Sequence, residues 1–415
     1  MNSIEELLKT HCPNGVEYKP LGELGEFANI GVDKKVIDGQ KEVILLNFVD
    51  VVKNKYIDKN IPKMRVTASD SKIQKCTIEK GDIFITPSSE TIDEIGFASV
   101  ITETIPNACY SYHIMRYRLF NSNMITSFFI RYCFESSFLR RQIRRYAQGI
   151  TRFGLTLGKW QSLQIPIPPL IVQEKIVTIL DTFTELEAEL EAELEARKKQ
   201  YAYYREKLLS FDYLDSITGG GISYMALGDL FIIRNGYTPS KAKKEYWENG
   251  TIPWFRMDDI RTNGRILADS IQHITPEAVK GGKLFPANSI IISTTATIGE
   301  HALIIVDSLA NQRFTCLSPQ VNCCEILNMK YFYYYCFILG EWCRNNVNVS
   351  GFASVDMKKF KQFKIPLPPL EIQEKIVSIL DKFESLANDL SQGLPAEIKA
   401  RKKQYEYYRE KLLSF

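Results

Sequence analysis

The chain is poor in the residues that build metal sites and disulfide frameworks. It has four histidines in 415 residues, and these are scattered: His11, His113, His273 and His301. Its nine cysteines include no CxxC pair, and only Cys323 and Cys324 are adjacent. An odd number of cysteines in a chain without an export leader favours free thiols. We therefore expect buried structural cysteines and no zinc site.

Long apolar runs are also missing. The longest one, residues 331–339, is far shorter than the roughly 20 residues that cross a bilayer. The opening residues MNSIEELLKTH are mixed and polar, unlike a leader peptide. The formal net charge of +3 neither requires nor excludes nucleic acid, because the distribution of charge matters more than its sum. We expect a cytoplasmic protein without a membrane partner.

Sequence motifs of catalysis are absent as well. The closest approach to a nucleotide-binding GxxxxGK[ST] loop is GLTLGKW at 154–160, which is one residue too short and has Trp160 at the magnesium-binding position. The [ND]PP[YF] motif of amino-methyltransferases, which holds a flipped base, is missing because both Pro-Pro pairs have aliphatic neighbours. No nuclease or hydrolase constellation is evident. The sequence indicates a protein without catalytic activity of its own.

What the chain does have is a duplication. IPIPPLIVQEKIVTILD at 165–181 returns as IPLPPLEIQEKIVSILD at 365–381, an offset of 200 residues. RKKQYAYYREKLLSF at 197–211 returns as RKKQYEYYREKLLSF at 401–415, an offset of 204. The second copy therefore holds four extra residues, close to one helical turn. Internal repeats of this kind define the architecture of a chain before any local feature does.

Weaker similarities extend the duplication upstream. LLNFVDV at 45–51 resembles WFRMDDI at 254–260, and the dipeptide IG recurs at 95–96 and 298–299. Each half is therefore a variable block of about 150 residues followed by a near-identical tail. The blocks mix apolar strand-like runs such as VILLNFV and SIIIST with helical stretches and turns, which is typical of the α+β class.

The repeated tail predicts a long helix. After Pro168 and Pro169, which cannot lie inside a helix, apolar residues recur every three or four positions for roughly 35 residues. Such a helix from about 171 to 211 is on the order of 60 Å long. Two near-identical helices with one apolar stripe each are natural mates, and we expect an antiparallel pair. In the second copy, Gly393 and Pro395 predict a break near 393–395.

The sequence of the blocks also predicts two helices, at residues 123–147 and 327–347. The Gly-rich segment between the halves indicates a short linker. The predicted segments are a first domain at 1–163, a first spacer helix at 164–211, a linker at 212–222, a second domain at 223–363 and a second spacer helix at 364–415.

A duplicated PLPPL-x-x-QEKIV segment behind two dissimilar domains resembles the specificity subunits of type I restriction–modification systems. The resemblance covers the full chain and is carried by 165–177 with 365–377 and by 197–211 with 401–415. It implies two globular α+β target recognition domains separated by two long antiparallel helices, with an internal pseudo-twofold repeat. Each domain would read one half of an asymmetric, interrupted sequence in double-stranded DNA.

The resemblance also implies partners. Two modification subunits, which bind S-adenosylmethionine, would dock on the spacer helices, and a restriction subunit that uses ATP and Mg²⁺ can join them. The chain itself would hold no cofactor and no metal. Residues shared by both copies of the repeat are the candidates for partner contact: Gln173, Glu174, Lys175, Tyr204, Gln373, Glu374, Lys375 and Tyr408.

Basic side chains of the two blocks are the candidates for DNA contact. In FLRRQIRRYAQGITRF at 138–153, four arginines at i, i+1, i+4 and i+5 share one helix face, and arginine suits both phosphates and guanine edges. The alternatives are a solvated face, or a site that pairs with the acidic ELEA repeats at 185–196. The candidates are Arg140, Arg141, Arg144, Arg145, Arg152, Lys159, Arg256, Arg261, Arg313 and Arg344.

Other interpretations remain open at this point. The aromatic run YFYYYCF at 331–337 could stack on bases, but at helical spacing such a run is more often core. A two-headed enzyme would turn over a substrate alone. A coiled-coil scaffold without DNA specificity would lack salt-dependent DNA affinity, whereas clustered arginines favour DNA.

Overall fold

A computed structural model describes residues 2–348, 353–388 and 393–415. The chain divides into two compact units, which are described separately below: the first contains Met1–Leu190 and Ile398–Phe415, and the second contains Glu191–Glu397. These units differ from the predicted domains because each one includes parts of both repeats. In the described residues, no helix is both long enough and apolar enough to cross a membrane.

The first unit is built on a five-stranded sheet of order β2–β10–β6–β8–β4, in which only the β4–β8 pair is parallel. A second sheet has the order β5–β3–β9, and β1–β12 and β7–β11 form two-stranded pairs. The strands are β1 Tyr18–Pro20, β2 Gly25–Ala28, β3 Lys41–Leu46, β4 Tyr56–Ile57, β5 Met64–Ala68, β6 Ile83–Ile85, β7 Ser88–Ser89, β8 Ala98–Ile101, β9 Ala108–Tyr110, β10 Met115–Leu119, β11 Phe153–Gly154 and β12 Gln164–Pro166. The helices are α1 Asn2–His11, α2 Leu21–Leu24, α3 Phe48–Lys53, α4 Asp70–Lys75, α5 Ser127–Glu135, α6 Ser137–Tyr146, α7 Leu157–Ser162 and the first half of α8 Leu170–Leu208, with a 3₁₀ turn at Ile92–Glu94.

The second unit repeats the strand order of both larger sheets, and its β13–β24 pair corresponds to β1–β12. Its five-stranded sheet has the order β14–β21–β18–β19–β16, again with one parallel pair at the β16 edge, and its three-stranded sheet has the order β17–β15–β20. The strands are β13 Ser223–Ala226, β14 Phe231–Asn235, β15 Ile252–Phe255, β16 Ile266–Leu267, β17 His273–Ile274, β18 Ser289–Ser293, β19 His301–Ile304, β20 Leu309–Ala310, β21 Phe314–Pro319, β22 Val347–Asn348, β23 Ser354–Val355 and β24 Lys364–Leu367. The helices are α9 Phe211–Thr218, α10 Leu227–Leu230, α11 Met257–Asn263, α12 Met329–Asn345, α13 Met357–Gln362, α14 Leu370–Asn388 and α15 Leu394–Leu412, and four 3₁₀ turns complete the elements: Lys244–Tyr246, Pro276–Ala278, Lys280–Gly282 and Val321–Cys323.

The matching topology confirms the α+β class and extends the duplication to the blocks themselves. The central strands β6 and β18 are buried along their whole length, since both faces of each sheet are covered. The aromatic run at 331–337 lies on α12 and is buried from Tyr331 to Cys336, so its interpretation as core is confirmed. All nine cysteines, which lie in the described part of the chain, are free, as expected.

Each unit is completed by the end of the other repeat. In the first unit, Leu412 and Leu413 at the end of the second repeat share a core with Ile176 and Leu180 of the first. In the second unit, Leu208 and Leu209 share a core with Ile376 and Leu380 in the same way. The ends of the apolar stripe of each repeated helix are thereby buried, as an amphipathic helix requires, whereas Leu186 in the middle of α8 is 39% exposed.

Two local predictions need correction. The predicted helix 123–147 is two helices, because Ser136 is extended and caps α6 by accepting from the Leu139 backbone N–H at 3.2 Å. Most of the predicted linker 212–222 is helix α9, which Ser210 caps and which ends at left-handed Gly219 (φ 66°).

The second repeat consists of two helices, next to the break predicted near 393–395. Helix α14 ends at Asn388 and α15 begins at Leu394. Residues 389–392 lie outside the described part.

Candidate nucleic-acid and partner interfaces

Two of the four arginines on α6 in the first unit bond to the neighbouring 3₁₀ turn. Arg140 donates to the carbonyl oxygens of Ile95 and, at 2.6 Å, Asp93. Arg144 forms an ion pair with the Asp93 carboxylate at 2.7 Å. Burial, with the nearby charge of Arg144, lowers the pKa of the Arg140 guanidinium. These contacts join α6 to the 3₁₀ turn, through a partly buried Arg140 and an Arg144 that is still 53% exposed. DNA contact by Arg140 and Arg144 stays a prediction, although both already have partners.

The remaining basic side chains of this region lie nearer the solvent. Arg141 and Arg145 are exposed on α6. Arg152 donates to the Ser88 hydroxyl at 3.0 Å, which places it beside β7. Lys159 lies 4.5 Å from the centre of the Tyr146 ring. Arg141 and Arg145 are therefore the part of the predicted cluster that is open to a ligand.

The first unit contains a small cleft of about 420 Å³ between α3, the start of β8, α5 and α15. It is lined by five basic side chains and one carboxylate, that of Glu135. Arg131 and Glu135, one turn apart on α5, form an ion pair at 2.5 Å, and Tyr405 donates to Glu135 at 2.6 Å. Burial would raise the pKa of Glu135, but the charges of Arg131 and Lys55 outweigh it and lower that pKa. The cleft is thus a closed network that joins the end of the second repeat to α5.

The second unit contains a much larger cleft, of about 1550 Å³, at the corresponding place. It lies between the end of α8, α11 and the residues after it, the loop that follows β18, and α12. The charged lining residues are Lys198, Arg205, Arg261, Arg265, Glu300, Lys330, Arg344, Asp381 and Glu384. Basic side chains thus outnumber acidic ones around this cleft.

The acidic side chains of the larger cleft already have partners. Glu300 pairs with Arg265 at 2.6 Å, and Asp381 pairs with Lys330 at 2.6 Å. Glu384 accepts from the hydroxyl of Tyr333 at 2.6 Å and lies 2.8 Å from that of Tyr334. Glu300 and Asp381 are therefore paired with basic lining side chains, whereas Glu384 is bonded to neutral hydroxyls and keeps its negative charge. The basic side chains remain in excess around the cleft.

Three arginines remain for a ligand. Arg205 stacks on Phe337 with its guanidinium carbon 3.8 Å from the ring centre. Arg261 lies 3.8 Å from Asp258, but both side chains are more than half exposed, so this surface pair is weak. Among the described residues, Arg344 has no ion pair or side-chain hydrogen bond and is exposed. The larger cleft is consequently electropositive.

The loop after β18 holds unusual backbone and polar groups. Ala296 is left-handed at φ 60°, a conformation that costs free energy for a residue with a Cβ and that is found preferentially at functional sites. The next residue, Thr297, has a buried hydroxyl without a hydrogen-bond partner in the described chain. Both residues line the larger cleft. Sequence reasoning missed them, because STTATIG carries no glycine at the strained position.

Two further DNA candidates of the second unit differ in accessibility. Arg256 precedes α11, its guanidinium carbon lies 5.9 Å from the Trp254 ring centre, and its Nε is buried without a partner among the described residues. Arg313 is exposed, while the neighbouring Asn311 accepts from the Arg313 backbone N–H at 3.0 Å. The Asn311 side chain therefore bonds within its own turn.

The two repeated glutamines are internal. The Gln173 side chain accepts from the Thr126 backbone N–H at 2.9 Å and donates to the carbonyl oxygens of Met124 and Pro168. Gln373 makes the same three bonds in its unit, to Asn328, Ile326 and Pro368: this is the same clamp at the start of α12. Both glutamines are 0% exposed, so the prediction that they contact a partner is wrong.

The repeated tyrosines are partly buried. Tyr408 stacks on Phe183 with ring centres 5.4 Å apart, and Tyr204 stacks on Phe383 at 5.0 Å. Their neighbours Tyr203 and Tyr407 are instead 58% and 60% exposed. Tyr203 and Tyr407 are therefore the more accessible tyrosine of each YY pair, and partner contact by Tyr204 and Tyr408 stays a prediction.

The charged residues predicted to contact a partner are exposed to solvent. Glu174, Lys175, Glu374 and Lys375 are exposed on the first turns of α8 and α14. Lys375 pairs with Glu371 at 2.7 Å, one turn earlier on the same helix, and such exposed pairs contribute little to stability. These positions stay predictions of partner contact, alongside Tyr203 and Tyr407.

Residues 13–196 and 221–400 match the family model described as type I restriction modification DNA specificity domain. The chain belongs to this family. Among curated relatives, it is 58% identical over 211 residues to the EcoprrI specificity subunit of Escherichia coli, covering 49% of this chain and 53% of that one. It is 43% identical over 275 residues to the Escherichia coli EcoR124I/EcoR124II specificity subunit, covering 62% of this chain and 65% of the relative. These alignments span between half and two thirds of the relatives' length.

Solved structures support the fold. The chain aligns with the crystal structure of a type I restriction–modification S subunit from M. genitalium with a TM-score of 0.54, over 97% of both chains and at 14% identity. At this identity the similarity concerns the fold alone. The resemblance of the duplicated PPL and RKKQY segments to specificity subunits is nevertheless confirmed by the family match, which covers both halves of the chain.

Proposed function

We propose that this chain is the sequence-specific DNA-recognition subunit of a type I restriction–modification complex. The observation that carries the proposal is the duplication of the fold, in which both blocks keep the same order in their five-stranded and three-stranded sheets while the residues that line their clefts differ. Two different blocks on one scaffold suit an asymmetric, bipartite DNA site. The names of the curated relatives, which are specificity subunits of type I restriction enzymes, support the same function.

In this proposal the chain is not catalytic and holds no cofactor. Methylation would come from two modification subunits that bind S-adenosylmethionine, and cleavage from a restriction subunit that uses ATP and Mg²⁺. The near-identical repeats suit two copies of one partner, and the exposed side chains of α8 and α14 named above are the proposed contacts. The assembly would act on cytoplasmic DNA.

The recognition domains are proposed as residues 1–163 and 223–363, with 164–211 and 364–415 as repeated spacer segments. Within the domains, the exposed arginines Arg141, Arg145, Arg261, Arg313 and Arg344 are the better DNA contacts, with Arg152 and Lys159 nearby. Arg140, Arg144 and Arg256 are proposed to hold structure. The rival, a protein scaffold without DNA specificity, has no observation in its favour.

Base-resolved methylation mapping of host DNA, with and without the gene for this chain, tests the function. We expect loss of one methyl mark at an asymmetric, interrupted motif, because the partners would lose their only guide to the site. An unchanged methylome in a strain that expresses the chain together with its modification subunit would contradict the proposal. A coiled-coil scaffold would also leave the purified chain without salt-dependent DNA affinity.

The acidic ELEA repeats at 185–196 offer a second test. Deleting one four-residue unit shortens a helix by about 6 Å and rotates it by about 40° beyond a full turn. One base pair of B-DNA rises about 3.4 Å, with about 10 pairs per turn. We expect the unread gap in the motif to shorten by roughly one base pair while both half-sites stay unchanged. Methylation mapping of the deletion variant measures this, and a changed half-site would contradict the spacer role.

A further inference from the structure

The two units place a cleft at corresponding positions, and the same pair of arginines lines each one. One arginine comes from the repeated YYREKLLSF segment: Arg409 in the first unit and Arg205 in the second. The other comes from a helix of the block and packs near the glycine of the IG dipeptide: Arg140 near Gly96, and Arg344 near Gly299. The site is therefore duplicated along with the fold.

The two clefts have nevertheless diverged. In the first unit the cleft is about 420 Å³, and the Arg140 guanidinium donates hydrogen bonds to the carbonyl oxygens of Asp93 and Ile95. In the second unit it is about 1550 Å³. There Arg344 makes no such bonds among the described residues, and Arg261 is held only by a weak, exposed contact at 3.8 Å. Both clefts have more basic than acidic lining side chains, but the second is larger, and its Arg344 lacks the bonds that hold Arg140 in the first.

We propose that the cleft of the second unit seats the phosphodiester backbone of DNA at the half-site which that unit reads, with Arg261 and Arg344 as phosphate contacts. This inference rests on the proposed DNA-recognition function and specifies where one half of the chain grips its substrate. A guanidinium offers paired N–H donors that match phosphate oxygens.

An acidic segment of a modification subunit is the other anionic occupant to weigh. Two copies of one partner would meet the same chemistry in both units, and that chemistry would come from the near-identical repeats. The larger cleft instead takes Arg261 and Arg344 from the variable block. Its counterpart in the first unit is smaller and contains the Arg131–Glu135 ion pair. A ligand that differs between the halves, as an asymmetric DNA site does, fits this divergence better.

The test is a salt titration of DNA binding by the full chain assembled with its modification subunits. The variant R261Q/R344Q removes two positive charges from the cleft, and K241Q/K243Q removes two exposed charges of the same unit outside it. Binding of a labelled duplex that contains the mapped motif is followed by fluorescence anisotropy. We expect the slope of log K against log salt to become shallower by about 0.9 per lost phosphate contact, about 2 in total, for R261Q/R344Q. The slope for K241Q/K243Q is expected to stay within about 0.5 of the parent.

The outcomes separate the two proposals. If the parent complex shows no salt-dependent DNA binding, the recognition function fails and the cleft inference fails with it. If the parent binds but R261Q/R344Q keeps the parent slope, or K241Q/K243Q changes it equally, only the cleft inference is overturned. If R261Q/R344Q stops assembling with the modification subunit while the chain alone binds DNA as before, the cleft docks protein and the inference is likewise wrong.

Discussion

The two units use similar hydrogen bonds between a repeated helix and a helix of the block. In each unit an aspartate of the repeat bonds to a tyrosine of the block: Tyr132 lies 2.5 Å from Asp181, and Tyr334 lies 2.5 Å from Asp381. Each unit has a second carboxylate that accepts from a tyrosine, and its origin differs between the units. The first unit takes it from α5, as Glu135, and the second takes it from α14, as Glu384.

The two repeats differ at the position that supplies this second carboxylate. Residue 184 in the first repeat corresponds to residue 384 in the second, and these are threonine and glutamate. Thr184 accepts from Lys55 at 2.8 Å, whereas Glu384 accepts from Tyr333 at 2.6 Å. The near-identical repeats are thus adjusted to the block that each one carries. Joining a block to the other repeat would therefore replace the residue that it contacts at this position.

Removing Glu135 should produce the largest effect on the first unit. In Glu135→Gln, the charge of Arg131, whose side chain is only 5% exposed, loses its partner. Breaking a buried ion pair from one side costs about 3 kcal/mol. We expect the free energy of unfolding to fall by this amount, with faster hydrogen exchange at the α5 amides and unchanged exchange at α12. Glu189→Gln, an exposed change on α8, serves as the control.

The same variant should depend on pH in a defined direction. The pKa of Glu135 in the folded protein lies below its ordinary value of 4.5. Its ionised form therefore stabilises the fold above that value, and the stabilisation is lost as the pH falls through the lowered pKa. The difference in stability between parent and Glu135→Gln should be full at neutral pH and shrink below about 4.5. A difference that stays constant down to acid pH would mean that the charge of Glu135 is not what stabilises the unit.

Replacing the buried glutamines should destabilise both units equally, because Gln173 and Gln373 make the same three hydrogen bonds. Gln173→Ala leaves the Thr126 N–H and two carbonyl oxygens without partners at the start of α5. We expect a loss of about 2–3 kcal/mol, since each orphaned buried group costs about 1–3 kcal/mol and water relieves part of it. Gln373→Ala should cost the same in the second unit. Chemical denaturation measures both, and the exposed change Glu174→Ala should stay within about 0.5 kcal/mol of the parent.

Much of this architecture was accessible from the sequence, but not the role of each shared residue. The offsets of 200 and 204 residues predicted two similar halves, and the α+β class followed from their strand-like runs. Identity between the repeats could not separate positions shared for folding from positions shared for binding. Gln173 does stand three residues before buried Ile176 on the apolar stripe, a signal that it faces inward. The division of labour among the arginines of α6 had no such signal, because Asp93 and Ile95 are distant in sequence.

The smallest expected effect is the one that distinguishes the corresponding arginines Arg140 and Arg344. Arg140→Gln removes a guanidinium that joins α6 to two carbonyl oxygens, and hydrogen bonds from charged donors contribute about 1.5–3 kcal/mol, less here because Arg140 is part-exposed. We expect Arg140→Gln to lower the free energy of unfolding by about 1 kcal/mol. Arg344→Gln should change it by less than about 0.5 kcal/mol, as for a surface residue. Thermal denaturation of both variants is the measurement. If Arg344→Gln were the more destabilising, the second cleft would be held closed by its arginine as the first is, and the divergence between the units would lie in their volume rather than in the use of their charges.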